Sequence, residues 1–480
     1  MSHTESSSAP LMLSVSGARG IVDQSMTPAV AARFAAAFGT HLFEARAGDQ
    51  PPSPLPPLVV VGRDSRPSGS TLQDGAVRGL CAVGCRVVRL GVQTTPSMAV
   101  AMGMMGADGG MVITASHNPG QWNGLKCLVA PGCAPALQDA QAIISTYETH
   151  TVDTELAAAS GTVESGDDQA VIDEHVRRVL ASIDPEQIRQ AGFAVVLDSV
   201  NGAGGPAATA LLAQLGVTVV GMNLDPTGLF AHEPEPIKQN LTGLASAVAE
   251  HGVHLGFAQD PDADRLAVVD ETGRYIGEEY TLALAARYAL NHPGADSGSS
   301  SIAVTNLSTS RMIDDVAAEA GVQVVRTPVG EANVAEVIQG SRAVIGGEGN
   351  GGVVWPPVCH VRDSLSGMAL ILSLLASDGR PLSTLVDSLP SYVIRKTKID
   401  LPDRSGIRTV LSALAQRYAG QQQDTQDGLR VDWPEQGCWL HVRPSNTEPI
   451  MRLIVEGPTE KDVERIMNEA MAIVTREMGD

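Results

Sequence analysis

Short apolar runs alternate along this chain with longer stretches whose apolar positions recur every three to four residues. The runs at 11–15, 58–61, 86–90, 110–113, 194–197, 217–220, 254–259, 301–306, 322–326 and 342–346 read as buried strands. The stretches between them predict helices over 28–47, 69–84, 206–215, 278–291, 309–320, 331–338 and 362–375. Pro28 sits at a helix start, and Thr94-Thr95-Pro96 opens a further helix. Alternation of this kind builds α/β domains with mixed, mostly parallel sheets. Residues 134–190 are largely helical around a polar break at 160–168, and 266–269 and 274–276 flank a tight turn as a hairpin. From Ser391 the pattern changes. Strands at 391–399, 428–432, 437–443 and 450–455, with helices at 405–418 and 459–477, predict a smaller α+β domain with an antiparallel sheet.

A chain of 480 residues exceeds one core and is expected to divide into roughly three to four domains. The breaks in pattern place a disordered, Ser-rich segment at 1–10, domains at 11–163, 164–268 and 269–388, and the smaller one at 389–480. Only 3% of residues are aromatic against 43% apolar, so the cores rest on Ala, Val, Leu and Ile. The 54 acidic against 33 basic residues give a formal charge of -21, which argues against nucleic acid and anionic membrane as partners. A local cluster of Arg and Lys can still make a positive cleft for an anionic small molecule. The six cysteines have no metal-type pairing and are expected to be reduced. Residues 1–10 lack the apolar core of a signal peptide, and no run reaches the length of a bilayer span, so a cytoplasmic protein is expected.

Four stretches carry chemistry. The strand at 110–113 stops at Thr114-Ala115-Ser116-His117-Asn118-Pro119-Gly120, with Lys126 a few residues on. Pro and Gly are turn residues, so a serine hydroxyl is held on a tight loop at a strand end. It is a candidate nucleophile or phosphoryl carrier, or else a capping serine on a surface turn. The strand at 254–259 runs into Asp260-Pro-Asp262-Ala-Asp264-Arg265. Carboxylates at alternate positions repel one another unless a cation sits among them, and hard oxygen donors suit Mg²⁺; a solvated acidic turn is the alternative. An EF-hand is excluded, because Arg265 stands at its required glycine and the flanks are strands. Arg443-Pro-Ser445-Asn446-Thr447, followed by Arg452, gathers arginines, hydroxyls and an amide suited to a phosphate. In Gly346 to Gly352 the side chains are Glu348 and Asn350, which can bond vicinal hydroxyls. A rival lies in Gly202-Ala-Gly204-Gly-Pro-Ala207 with Asp225 downstream, which fits a dinucleotide fingerprint and points to an NAD-dependent oxidoreductase.

Collected in this order over nearly the whole length, these loops resemble the α-D-phosphohexomutase superfamily. The resemblance implies three similar α/β domains and a smaller fourth around a central cleft. It implies a reaction in which phosphate moves between the 6- and 1-positions of a hexose phosphate, through phosphorylated Ser116 and a hexose 1,6-bisphosphate. Ser116, Lys126, Arg19 and His117 would serve catalysis; Asp260, Asp262 and Asp264, with Ser116, would hold one Mg²⁺, and Arg265 would accompany them. Glu348 and Asn350 would read sugar hydroxyls, and Arg443, Ser445, Asn446, Thr447 and Arg452 would hold the phosphate that is not reacting. Many members end the sugar loop in a histidine; here Gly352 stands in that place, and His360 follows eight residues later. The Gly347–Gly352 version, with Thr327-Pro-Val-Gly330-Glu331 upstream, resembles the phosphoglucosamine mutase branch, with phosphomannomutase/phosphoglucomutase the alternative. A monomer or a homodimer fits equally.

Overall fold

The computed structural model describes residues 10–47, 55–149, 161–292, 302–400, 406–445 and 450–478. Of the segment 1–10, expected to be disordered, residues 1–9 lie outside the described residues. Among the described residues twenty strands form four sheets. In the first, β1 (Met12–Ser14), β2 (Gly17–Ile21), β3 (Leu58–Arg63), β4 (Arg86–Val92), β5 (Gly109–Ile113), β6 (Trp122–Val129) and β7 (Thr162–Ser165) run in the order β1-β2-β6-β5-β3-β4-β7. The half from β5 to β7 is parallel and the half from β1 to β5 antiparallel. The second sheet orders β8 (Ala194–Asp198), β9 (Thr218–Met222), β10 (Leu255–Gln259) and β11 (Leu266–Asp270) as β11-β10-β8-β9. The third orders β12 (Ile302–Asn306), β13 (Gln323–Thr327), β14 (Ile345–Glu348) and β15 (Gly352–Val354) as β13-β12-β14-β15. Both carry one antiparallel edge on a parallel core. The fourth, of β16 (Val393–Asp400), β17 (Gln422–Asp424), β18 (Leu429–Trp433), β19 (Cys438–Pro444) and β20 (Ile450–Gly457), is antiparallel throughout. The expected architecture of three mixed α/β units and a smaller α+β unit is therefore present.

Four features depart from the sequence reading. Residues 17–21, just past the run at 11–15, form the strand β2, paired with β6 so that Arg19 faces Gly124. β6 itself is a full strand, buried from residue 123 to 128: Leu125, Cys127 and Leu128 join apolar clusters, while Asn123 bonds Ser68 and Lys126 reaches the aspartate triplet. The polar break after 160 contains the edge strand β7. The partner of β11 is β10, while residue 275 adds a single bridge to Val269, so the aspartate triplet occupies the connection of an antiparallel pair.

One apolar cluster spans the three α/β units, containing Met98, Val179, Leu211, Phe257, Leu284 and Leu370. The fourth unit has its own core around Val410, Leu440 and Val463. A polar chain crosses the same three units without reaching water. Thr94 caps helix Thr95–Met105 by accepting from Ser97 N at 3.0 Å, Ser97 Oγ meets His175 Nδ1 at 3.0 Å, and His175 Nε2 meets Asp363 Oδ2 at 3.1 Å. Asp363 in turn caps helix Ser364–Asp378 by accepting from Leu365 N and Ser366 N. Buried polar groups fully bonded in this way hold one arrangement of the elements that carry them.

Candidate active site

β5 delivers the chain to Ser116, a buried non-glycine residue with φ +49°. The left-handed conformation costs about 1–2 kcal/mol and needs support. Thr114 Oγ1 accepts from Ser116 N at 2.9 Å and donates to Asp64 Oδ2 at 2.8 Å. Arg66, wholly buried, pairs with Asp64 at 3.0 Å and donates to the carbonyls of Ser116, Asn118, Pro119 and Trp122 at 2.6, 2.6, 2.9 and 3.2 Å. One planar fork thus accepts the geometry of the whole loop. Ser116 Oγ donates to Asp260 Oδ2 at 2.9 Å and lies 3.5 Å from His117 Nδ1. The serine and the triplet, 144 residues apart, meet directly.

Asp260, Asp262 and Asp264 are all fully buried, with one oxygen from each lying within 4.8 Å of the others. Each has its own set of partners, with Lys126 shared between two of them. Asp262 Oδ2 accepts from Thr95 Oγ1 at 2.6 Å and Lys126 Nζ at 3.1 Å; Asp264 Oδ2 accepts from Lys126 Nζ at 3.0 Å and Arg362 Nη2 at 2.6 Å. Arg265 donates its backbone N–H to Asp260 Oδ1 at 3.0 Å, and its Nε lies 3.9 Å from Asp264 Oδ1. The other oxygens, Asp262 Oδ1 and Asp264 Oδ1, are buried without a hydrogen-bond partner. Such an oxygen costs about 1–3 kcal/mol unless something else satisfies it. Three convergent hard carboxylates with spare oxygens fit a divalent metal ion.

The charges are strongly coupled. Burial, reinforced by Asp262 and Asp264, pushes the Asp260 carboxyl well above the usual range. Burial also opposes charge on Asp264, but Arg362, Lys126 and Arg265 outweigh it and hold that carboxyl low. For Lys126, burial favours the neutral amine; Asp262, Asp264 and Glu331 prevail and raise its pKa. The lowered value that a proton-carrying lysine requires is therefore absent in this charge state. Burial, with Arg265 and Arg19 adding to it, lowers His117 to about 2, so its imidazole is neutral. Arg19 Nη1 donates to Asn118 Oδ1 at 3.1 Å, on the same loop.

The sugar-loop candidates join the same cluster. Glu348 accepts from Asn306 Nδ2 at 2.8 Å, Arg362 Nη1 at 2.8 Å and Asn350 Nδ2 at 3.4 Å. Leu266 N donates to Gly351 O at 2.9 Å, so this loop is docked on the residue that follows Arg265. Arg443 is linked to the cluster less directly: its Nε donates to Asp427 Oδ2 at 2.7 Å, which also accepts from Val329 N at 3.1 Å. Ser445 N donates to Ile450 O at 2.8 Å, and Arg443 and Arg452 stand directly opposite on β19 and β20. Two arginines, one of them paired with Asp427, thus share this edge of the sheet. Asn446 and Thr447 lie outside the described residues.

Thr95 and Arg362, which the sequence presents only as helix openings, are direct partners of the triplet. The dinucleotide-like turn has another use. A Cβ on Gly202 would lie 2.7 Å from Pro261 Cα, one on Gly204 2.4 Å from Gln259 Oε1, and Ala203 N donates to Pro261 O at 2.8 Å. The close approach those glycines permit seats the triplet's own loop, which accounts for the pattern by packing.

Comparison with known proteins agrees. Phosphoglucomutase/phosphomannomutase alpha/beta/alpha domains I, II and III match residues 12–153, 173–273 and 278–392, and the C-terminal domain of the same family matches 397–473. This chain belongs to the α-D-phosphohexomutase superfamily. A Thermococcus kodakarensis phosphoglucomutase/phosphomannomutase is 37% identical over 447 residues, covering 93% of this chain and 94% of its own. A Sulfurisphaera tokodaii phosphoglucosamine/phosphogalactosamine mutase is 32% identical over 464 residues, covering 95% and 98%. The solved structure of a phosphoglucomutase/phosphomannomutase family protein from Burkholderia thailandensis superposes with TM-score 0.79 at 28% identity, covering 97% and 98%. The chain is thus a phosphohexomutase, an isomerase that moves phosphate within a hexose phosphate. Among the described residues no helix is long and apolar enough to cross a membrane.

Proposed function

We propose that this phosphohexomutase works through phosphorylated Ser116 and that glucosamine phosphate is its preferred substrate. The observation that carries the first part is the buried 2.9 Å contact between Ser116 Oγ and Asp260, within the cluster that holds Lys126. The Oγ–P bond of the phosphoserine breaks as the free hydroxyl of the sugar forms a new O–P bond. The hexose 1,6-bisphosphate turns over in the cleft, and its other phosphate returns to Ser116 Oγ. Such transfer needs in-line placement and neutralised charge more than covalent help from the protein. Mg²⁺ held by Asp260, Asp262 and Asp264 together with the phosphoserine would neutralise charge on the transferring group. Arg19 and Lys126 face the reacting hydroxyl. A cation held by Asp262 and Asp264 would offset charges that keep Lys126 protonated, and the amine of Lys126 would then be placed to take the hydroxyl proton. His117 shapes the serine loop and contacts phosphate, with Arg265 alongside.

Glu348 and Asn350 are assigned to the sugar hydroxyls, and Arg443, Ser445, Asn446, Thr447 and Arg452 to the second phosphate. The facing pair Arg443 and Arg452 supports that assignment. The domain boundaries proposed are 163/164, 268/269 and 388/389. Six reduced, buried cysteines support a cytoplasmic location. For the sugar, phosphoglucosamine mutase is the most frequent name among the relatives compared, whereas the Thermococcus relative at 37% identity is a phosphoglucomutase/phosphomannomutase. The test is a coupled assay with glucosamine, glucose and mannose 6-phosphates, each with trace bisphosphate. The highest kcat/KM is expected with glucosamine 6-phosphate. A preference for mannose or glucose phosphate would establish the alternative, and no turnover of any would overturn the mechanism.

A further inference from the structure

The turn that ends the sugar loop has two glycines with different reasons for being there. Gly351 has φ +84°, so its backbone calls for glycine; Gly352 lies outside the left-handed region. A Cβ on Gly352 would nonetheless lie 2.2 Å from Arg362 Cδ, 2.9 Å from Arg362 Cγ and 3.0 Å from Asn350 Oδ1. Those arginine atoms are mid-stem and have no free end to swing away. The space that belongs to a side chain at 352 is filled by a residue ten positions on.

Arg362 is only 8% exposed, and its guanidinium gathers carboxylates from three loops. Nη2 bonds Asp264 Oδ2 at 2.6 Å and lies 3.4 Å from Glu331 Oε2, Nη1 bonds Glu348 Oε2 at 2.8 Å, and the backbone N–H donates to Glu331 Oε1 at 2.9 Å. We propose that Arg362 is the positioning residue of the sugar loop: it stands in for a side chain at 352 and fixes Glu348 relative to Asp264. This rests on the phosphohexomutase reading of the site. A carboxylate has about four acceptor sites, so Glu348 can receive a sugar hydroxyl while Asn306 and Arg362 keep it aimed. A guanidinium stays protonated at any working pH, so at this place the chain has a fixed cation that orients and does not shuttle protons. Glycine at 352 is the steric consequence of that arginine.

The test is a cycle of Gly352→His, Arg362→Ala and the double variant, with Arg362→Lys as a fourth protein. Thermal melts and the kcat and KM for hexose 6-phosphate are read for each. Gly352→His alone is expected to lower Tm by several degrees and raise KM about tenfold, because its Cβ meets the Arg362 stem. Arg362→Ala is expected to raise KM more than it lowers kcat. In the double variant the imidazole enters the vacated space, and both Tm and KM are expected to be better than the sum of the single changes predicts. Arg362→Lys keeps the stem and charge but loses the fork, and is expected to raise KM about tenfold with a cooperative melt near wild type. Strict additivity in the cycle, or wild-type KM in Arg362→Lys, overturns the proposal. If Arg362→Ala does not fold, Gly352→His and Arg362→Lys decide it alone. Wild-type turnover tests the functional reading separately, and the Tm cycle reports the steric coupling even if that reading fails.

Discussion

Arg66 is the side chain on which the shape of the serine loop rests, and Arg66→Lys keeps its charge while removing its fork. The guanidinium makes five hydrogen bonds, one to Asp64 and four to the carbonyls of Ser116, Asn118, Pro119 and Trp122. An ammonium has three protons, so at least two of these buried acceptors lose their donor, at about 1–3 kcal/mol each. The expected loss is ~2–6 kcal/mol, which at about 1 °C per kcal/mol for a cooperative chain of 480 residues lowers Tm by at least about 2 °C. A second effect falls on function. Ser116 at φ +49° is held in a conformation worth about 1–2 kcal/mol of strain, and a loosened loop relaxes away from it, taking Oγ from Asp260. Calorimetry, with intact-mass measurement of phosphate on Ser116 after incubation with a hexose 1,6-bisphosphate, reads both effects. We expect kcat/KM to fall by about tenfold or more, in step with slower loading of the serine. If Arg66→Lys melts with its parent and loads at the parental rate, the loop is fixed by its own turn residues and this reasoning is wrong.

Ser116→Ala should abolish turnover and phosphate loading while the Tm stays within a few degrees, since it removes one hydroxyl and almost no packing; residual turnover at the parental rate would refute the carrier role. Asp262→Asn should weaken Mg²⁺ binding in calorimetric titration by about tenfold or more, and an unaltered isotherm would remove that residue from the metal site. Glu279 offers a pH prediction. Burial pushes its carboxyl up to about 8 despite Lys396, so the folded state keeps a proton that the unfolded chain gives up nearer pH 4.5. Its contribution is fully present below that pH and is lost as pH rises toward 8, so Tm should fall across this window in the parent and less in Glu279→Gln. Equal slopes for the two proteins would show that another group controls the change.

Much of the site was legible because its residues are also turn residues. Asn118-Pro119-Gly120 marks a strand end, and three alternating aspartates before an arginine have few structural uses. What was hidden depends on distance along the chain. Thr95 reaches Asp262 across 167 residues and Arg362 reaches Asp264 across 98, and neither leaves a local pattern. β6 was hidden for a different reason: alternation reports the contrast of core and solvent, and residues 123–128 are buried on both faces of the strand, with the polar Asn123 and Lys126 among them. β2, with two glycines in five residues, reads as a loop for lack of side chains. The charge state of Lys126 also escaped prediction, since burial and carboxylate neighbours push in opposite directions and only their placement decides which prevails.

The partners of the triplet explain why a chain of several domains is needed for so small a site. Asp260 is met by the serine loop, Asp262 by Thr95 and Lys126, and Asp264 by Lys126 and Arg362. The hairpin between β10 and β11 supplies the carboxylates, but the first sheet and the helix start after β15 supply the groups that neutralise them. Without those groups, that hairpin would hold three like charges side by side, which is unfavourable. Docking of the domains is therefore coupled to formation of the site: the cations arrive with their own units, and the buried Thr94–Ser97–His175–Asp363 chain ties those units together. A chain with net charge -21 can in this way present an anionic substrate with a cleft whose arginines and lysine are fixed before the substrate arrives.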